Sequence, residues 1–309
     1  YQLKEVISML ANNNEAIINK LAKNSVKTNK KQYAILFFTI ILSAFMLFCV
    51  FTIGMTYLNS SRLQNTRLNG AEYDIVTMNG FTSEQLNTLQ QNENIRSVGI
   101  ESYAGFIQST EYDKTVEIGL LWCDEVFWDN LMSPARTKLD GHYPQNKNEL
   151  MVTKDILKTC GNENLSVGDS LILTYENNTG VYTDEFVISG IWDGYGDTSA
   201  GFVSKAFYDE TGYDLKNNGI LCIKLNCNYV FPTTIQSIEK SLDFSDRQIF
   251  APTGYIENSF KLLLGICGLA LVICLSAYLL IYNILYLSVS GKIRYYGLLQ
   301  SLGMTKKQL

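Results

Sequence analysis

Two runs without a charged residue decide what this chain can become. Ala34 to Tyr57 holds no Asp, Glu, Lys or Arg, and Leu262 to Val289 is a longer run of the same kind. A hydrocarbon core takes about 20 residues of helix to cross, so transmembrane helices are expected over 34–58 and 262–289. The first run is too long for the apolar part of a cleavable signal peptide, and no small-residue cleavage site precedes Tyr57. Charge then orients both spans. Ahead of the first lie Lys4, Lys20, Lys23, Lys27, Lys30 and Lys31 against Glu5 and Glu15; after the second lie Lys292, Arg294, Lys306 and Lys307 with no acid. These flanks carry +8, so the total of −5 leaves −13 for everything between them. By the positive-inside rule both flanks are cytoplasmic, and 59–258 is an extracytoplasmic domain.

That domain has about 200 residues, enough to bury a core. Its pattern is mixed. Strands are expected over 73–78, 95–108 (interrupted at Gly99 and Gly105), 115–122 and 219–225, and helices over 83–91 (capped by Thr82), 124–131 and 233–242. Residues 141–152, 156–160, 167–173 and 185–191 read as strand, helix, turn and strand. Glu176 to Gly180 is a hairpin loop and Val181 onward its return strand. The class is α+β. Of the seven cysteines, Cys49, Cys267 and Cys274 fall in the spans. Cys222 and Cys227 share the strand-like CIKLNC, too far apart along an extended chain to bridge, and nothing supports Cys123 with Cys160. Buried free thiols are expected.

The cytoplasmic flanks are amphipathic. Asn14 can cap a helix bearing Ile17, Ile18, Leu21 and Ala22 on one side and lysines elsewhere, suited to lie on anionic headgroups within the interfacial segment 1–33; a flexible basic linker is the competing reading. Leu58 to Leu68 can extend the first span as an exposed stalk. The second span is rich in Gly265, Gly268, Ala270, Ser276 and Ala277, which let helices approach closely, and Asn283 is expected to form an interhelical hydrogen bond.

After that span comes 291–309, GKIRYYGLLQSLGMTKKQL. Tyr295, Leu298, Leu299 and Leu302 recur at i, i+3, i+4 and i+7, the mark of one helical face. Gly303 sits where a helix stops on a left-handed residue, and Thr305 with Gln308 has capping-box spacing for a further helix. The chain thus reads as a piece of a longer protein, since it begins at Tyr1 and ends inside that helix's first turn.

The run K-I-R-x-x-G-x-L-x-x-L-G-M-T-x-x-Q-L, Lys292 to Leu309, resembles the cytoplasmic loop after the second membrane helix of FtsX-like (MacB-type) ABC transporter permeases. The external region is similar to their periplasmic core domain in the order of its G-x-Y-P, N-E, G-D and S-G-I elements, here Gly141, Tyr143, Pro144, Asn148, Glu149, Gly168, Asp169, Ser189, Gly190 and Ile191. The resemblance implies an ATPase-coupling loop formed by Lys292, Arg294, Tyr295, Gly297, Leu298, Leu299, Leu302 and Gly303. The leucines would fill a groove on the ATPase, Gly297 would allow close approach, and the two cations would meet acids or headgroups. A helix lying on lipid is the competing reading of the same face.

Several chemistries are missing. There is no G-x-x-x-x-G-K-[ST], so ATP hydrolysis belongs to a separate subunit and the chain is not expected to be an enzyme. G-x-S-x-G is absent and His142 is the only histidine, which leaves no hydrolase triad and no metal or cofactor site. The Gly-rich 193–201 reads as a surface loop, and the acid pairs Asp124–Glu125 and Asp184–Glu185 as solvated surface. The external excess of acid argues against nucleic acid.

The expectation is a membrane protein with two transmembrane α-helices flanking an extracytoplasmic α+β domain, followed by a cytoplasmic coupling helix. By resemblance its partners are a cytoplasmic ABC ATPase, membrane lipids, a second permease half or subunit in a dimer, and an extracellular peptide or lipid. Composition points to a Gram-positive cytoplasmic membrane. The alternative is a two-span sensor with an external ligand-binding domain, which would need a heptad-bearing output after the second span. A relative that activates cell-wall hydrolases would differ in its external partner.

Overall fold

The computed structural model describes residues 15–108, 118–195 and 200–301. In chain order its helices are α1 (Glu15–Thr28), α2 (Lys30–Asn69), α3 (Ser83–Gln91), α4 (Lys154–Thr159), α5 (Lys205–Tyr208), α6 (Leu215–Asn218), α7 (Pro232–Lys240), α8 (Gly254–Ser290) and α9 (Ile293–Ser301). Its strands are β1 (Ile75–Met78), β2 (Ile95–Ile107), β3 (Ile118–Cys123), β4 (Arg136–Gly141), β5 (Glu149–Thr153), β6 (Ser170–Asn177), β7 (Gly180–Gly194), β8 (Ala200–Val203), β9 (Ile220–Leu225) and β10 (Ile249–Pro252). The chain divides into a unit of residues 1–55 with 264–309 and a unit of residues 56–263, called the head below.

In the first unit α2 and α8 are each long and apolar enough to cross a membrane. Their apolar windows are almost wholly exposed, as Phe37, Phe38 and Leu279 illustrate, which is the surface a helix offers to lipid. The hydroxyls of Thr39 and Ser43 donate to the carbonyls of Ile35 and Thr39 four residues back, so neither remains a bare polar group on an apolar helix. A Cβ on Gly54 would lie 2.6 Å from Ile266 Cδ1, so the small residue lets the two apolar helices touch. Gly265 and Gly268 meet nothing within 4 Å, and Asn283 is exposed with no hydrogen bond to any described residue. Asn14 lies outside the described residues, although α1 begins immediately after it.

The head holds one ten-stranded sheet among the described residues, in the order β10-β1-β9-β2-β3-β8-β5-β7-β4, with β6 bridging β2 and β7. That bridge closes β2-β3-β8-β5-β7-β6 into a ring. A bulge at Tyr103/Gly105 bends β2, so its first half pairs with β9 and its last residues pair with β6. Gly105 is required there, since a Cβ would lie 2.8 Å from the Glu176 carbonyl oxygen. Inward-facing residues fill the ring by simple alternation: Leu171, Leu173 and Tyr175 from β6, Phe186 and Ile188 from β7, Leu150 and Val152 from β5. Each such side chain contributes roughly 1.5–3 kcal/mol on burial.

The open end, β10-β1-β9-β2, carries α3 and α7 on one face, where Leu89, Ile235 and Ile238 cover Ile75, Leu221 and Ile223. On the other face a π-helical turn, Val126–Leu131, sets Phe127, Trp128 and Leu131 against Val76 and Cys222. Thr82 caps α3 in a full capping box, its hydroxyl accepting from Gln85 N while Gln85 Oε1 accepts from Thr82 N.

Several sequence readings change. The second apolar helix begins at Gly254, ahead of the expected start at Leu262, and its first turns belong to the head. The 58–68 extension of α2 is not exposed along its whole length: Leu58 and Thr66 are buried, and only flanks such as Leu63 and Leu68 are open. All seven cysteines are free, but Cys227 lies beyond the end of β9 and is exposed, unlike the buried Cys123 and Cys222. Of the 193–201 stretch, the described ends are strand, in β7 and β8, because both pair within the sheet. Asp124 is half-buried, not solvated: its carboxylate accepts the backbone N–H groups of Ile100 and Phe127.

Candidate functional site: a terminal apolar face and a helix junction

α9 follows α8 after a two-residue break. Gly291 N donates to Leu287 O, Lys292 N to Val289 O, and Tyr296 N to Lys292 O, so Lys292 stands at the turn between the helices. Spacings of three and four residues place Tyr295, Leu298 and Leu299 on one side of α9. Tyr295 is 48% and Leu298 64% exposed, whereas Leu299 is half-covered. Gly297 meets nothing within 4 Å, and Arg294 is exposed. Tyr295 and Leu298 thus stand open on one side of α9 beside the cation Arg294, while Gly297 is exposed on another side of the helix. Ile293, 66% exposed, lies on the side of α9 away from Tyr295 and was not singled out in the sequence because it falls outside the i, i+3, i+4 series. Leu302, Gly303, Thr305 and Gln308 lie outside the described residues.

Inside the head, the end of α2 and the start of α8 are fastened to neighbouring strands. α2 stops at Asn69 because Gly70 adopts a left-handed φ of 71°. Beyond it Lys224 of β9, only 6% exposed, places its ammonium 3.1 Å from Glu72 and 3.2 Å from Asp74. The Asp74 carboxylate also accepts Leu225 N at 2.9 Å. Burial raises the Asp74 carboxyl above its usual range, and the ammonium and the Leu225 N–H pull it back down. The Asp74 carbonyl accepts Thr253 N at 2.8 Å, and Thr253 in turn begins α8, its hydroxyl accepting Ile256 N and its carbonyl accepting Glu257 N. β1 and β10 pair directly, Ile75 opposite Pro252. One residue, Asp74, therefore ties both long helices to the same edge of the sheet. None of this was singled out in the sequence; a lone Lys in the apolar strand ILCIKL was the available signal.

The elements that carried the resemblance are mostly structural. Gly141 has a φ of 87° and a Cβ there would lie 2.2 Å from Ser189 O. Tyr143 donates to the carbonyls of Cys123 and Val203 and accepts Cys123 N, between the rings of Trp128 and Phe202. Burial raises the Glu149 carboxyl, but the hydrogen bonds it accepts from Gln145 N, the Asn146 side chain and Asn146 N together hold it below the usual range. Asp169 accepts Ser166 N in the turn that Gly168 permits. Gly141 lets β4 close on β7, Tyr143 links β3 to β8, and Glu149 and Asp169 shape the turns ahead of β5 and β6. Near them Glu101 has its carboxyl pushed up to about 7 by burial, and Cys123, Cys222 and Tyr143 are raised by the same loss of water. Among the described residues no group of His, Cys, Asp and Glu is arranged to hold a metal ion.

Membrane-length helices bracketing a folded α+β head define the structural class. No family model matches the chain, and no curated protein matches it. Solved structures do. The periplasmic region of MacB from Actinobacillus actinomycetemcomitans is 12% identical, covering 63% of this chain and 95% of its own, with a TM-score of 0.42. A domain of a putative permease from Porphyromonas gingivalis is 9% identical over 59% of this chain and 89% of its own, with a TM-score of 0.37. The extracellular domain of the noncanonical ABC-type transporter YknZ from Gram-positive bacteria is 13% identical over 58% of this chain and 98% of its own, with a TM-score of 0.37.

Proposed function

We propose that the chain is the permease subunit of an ABC transporter, with the head outside the cell membrane and α9 in the cytoplasm, where a separate ATPase docks on it. The observation that carries this reading is the open apolar face of Tyr295 and Leu298, with Gly297 exposed elsewhere on α9, after a membrane-length helix that begins in the head. An apolar helix face left uncovered within its own chain suits a partner's groove, and a glycine with free space above it suits close approach. The charge asymmetry between flanks and head supports the orientation.

In this mechanism ATP binding and hydrolysis in the partner displace α9. The displacement passes along α8 and α2 to the junction at Asp74 and Lys224, and the head changes its state outside. The chain transmits motion; it does not perform the chemistry. The cargo is a peptide, a lipid or a lipoprotein, and the working assembly contains two permease halves or subunits.

The test is copurification of the full-length protein with the ATPase encoded beside it. Leu298→Asp should insert normally and release the ATPase. Retention of the ATPase by that variant, or no ATPase with the wild type, would overturn the coupling assignment.

A further inference from the structure

The ring carries a concavity that the transmission of motion does not use. β6 and β7 turn through Asn178 and Thr179, and beside this hairpin lies a cavity of about 300 Å³ lined by Tyr175, Tyr182, Asp184, Phe207 and Glu210, with Lys147 at its edge. The aromatic rings are close, with centroids 6.0 Å apart for Tyr175 and Tyr182 and 5.4 Å for Tyr175 and Phe207. Tyr175 is buried and its hydroxyl donates to Asp184 Oδ2 at 2.6 Å. Burial first, then Asp184, raises that phenol well above its ordinary range, so it remains a neutral donor.

The charge in this cavity does not balance. Glu210 is paired with Lys147, while Asp184 faces no cation among the described residues. Lys147 already shows which chemistry fits: an ammonium on a flexible stem reaching a carboxylate next to aromatic rings. Its hold is loose, since the Lys147 and Glu210 side chains are 57% and 61% exposed. Tyr175 and Phe207 are buried, so the exposed Tyr182 ring is the face that can attract a cation, and the Asp184 carboxylate, two residues on along β7, adds direction. The head's excess of acid also raises the local concentration of basic polymers.

We propose that this concavity is a binding subsite for a basic side chain, lysine or arginine, of a peptide that reaches the head, the incoming cation pairing with Asp184 and displacing Lys147 from Glu210. The assignment stands on the head alone and does not need the ATPase reading.

The experiment titrates a fluorescent tetralysine peptide into the full chain held in nanodiscs of zwitterionic lipid, following anisotropy. Glu210→Gln and Asp184→Asn should each weaken binding about tenfold, and Lys147→Ala should tighten it about threefold, because it frees Glu210. Glu239→Gln on α7, remote from the cavity, should leave binding unchanged. Thermal melts confirm that each variant is folded, and Glu210, being exposed, gives a reading even if Asp184→Asn does not fold. Equal loss in all acidic variants would reduce the effect to the head's general field and overturn the site. Weaker binding in Lys147→Ala would overturn the displacement. Full competition by spermidine at equal concentration would assign the cavity to a free polyamine, and the peptide proposal would fall.

Discussion

Gly190 shows how little freedom the head allows at a single residue. A Cβ there would lie 2.6 Å from Met151 Cε, 3.0 Å from His142 O and 3.1 Å from Asp140 O, so β4, β5 and β7 can meet only around a bare backbone. Gly190→Ala is expected to cost about 1–3 kcal/mol, read as a lower urea midpoint of the head's unfolding in nanodiscs. The sequence showed Gly141, Tyr143 and Gly190 as a recurring order of letters, and only their contacts reveal that the order encodes packing. Glu101 could not be singled out at all, because a Glu in a strand is ordinarily on the wet face. Here its carboxyl is held at about 7, above the usual value of 4.5. The folded state therefore keeps a proton that the unfolded state gives up, and its stability should fall as pH rises from about 4.5 to about 7 and level off above. In Glu101→Gln that slope should disappear; a slope equal to wild type would show that another group is responsible.

At the level of elements, the long helices and several strands, β1, β3 and β9 among them, were legible, while β4, β8 and β10 were not. Length and absence of charge define α2 and α8, and the alternation in Leu171, Leu173 and Tyr175 defines β6. β4 gives no such signal, since all six of its residues except Arg136 are exposed and the strand exists only through pairing with β7. β10 is four residues ending in Pro252, held by β1. The ring is closed by two residue pairs between β2 and β6, about 70 positions apart, which no local pattern announces. The face of α9 was readable from spacing, but nothing in the spacing distinguishes a protein groove from a lipid surface. At the junction, Lys224→Met would strand Glu72 and Asp74 without their cation. We expect a loss of about 3–5 kcal/mol, and melting of the head at lower temperature while the apolar helices stay inserted. A proline at Gln64, inside the extension of α2, removes a backbone donor and breaks the helix at a cost of about 3 kcal/mol. In the proposed assembly this variant should still copurify with its ATPase, while ligand-dependent changes in ATPase rate are lost.

For the whole molecule, the sequence conveyed the plan of two apolar helices around an α+β head. It could not convey which strands neighbour one another, because the sheet order is set by contacts between distant parts of the chain. β1 lies between β9 and β10, and Ile75 is placed opposite Pro252. This has a consequence for how the protein is made. At synthesis rates of about 5–20 residues per second, the partner of Ile75 appears about 10–35 s after it. During that interval the first apolar helix is already available to the membrane, while β1 waits with both edges unpaired until β9 appears and with one edge unpaired until β10 follows. Protease resistance of the head in pulse-labelled chains should therefore appear only once residues through Pro252 have emerged, and chains truncated before β9 should remain cleavable at every length. The strand that fastens the first helix to the head is completed last, so each new molecule passes through a period in which it is anchored but unfinished, and depends on its surroundings to keep it unaggregated.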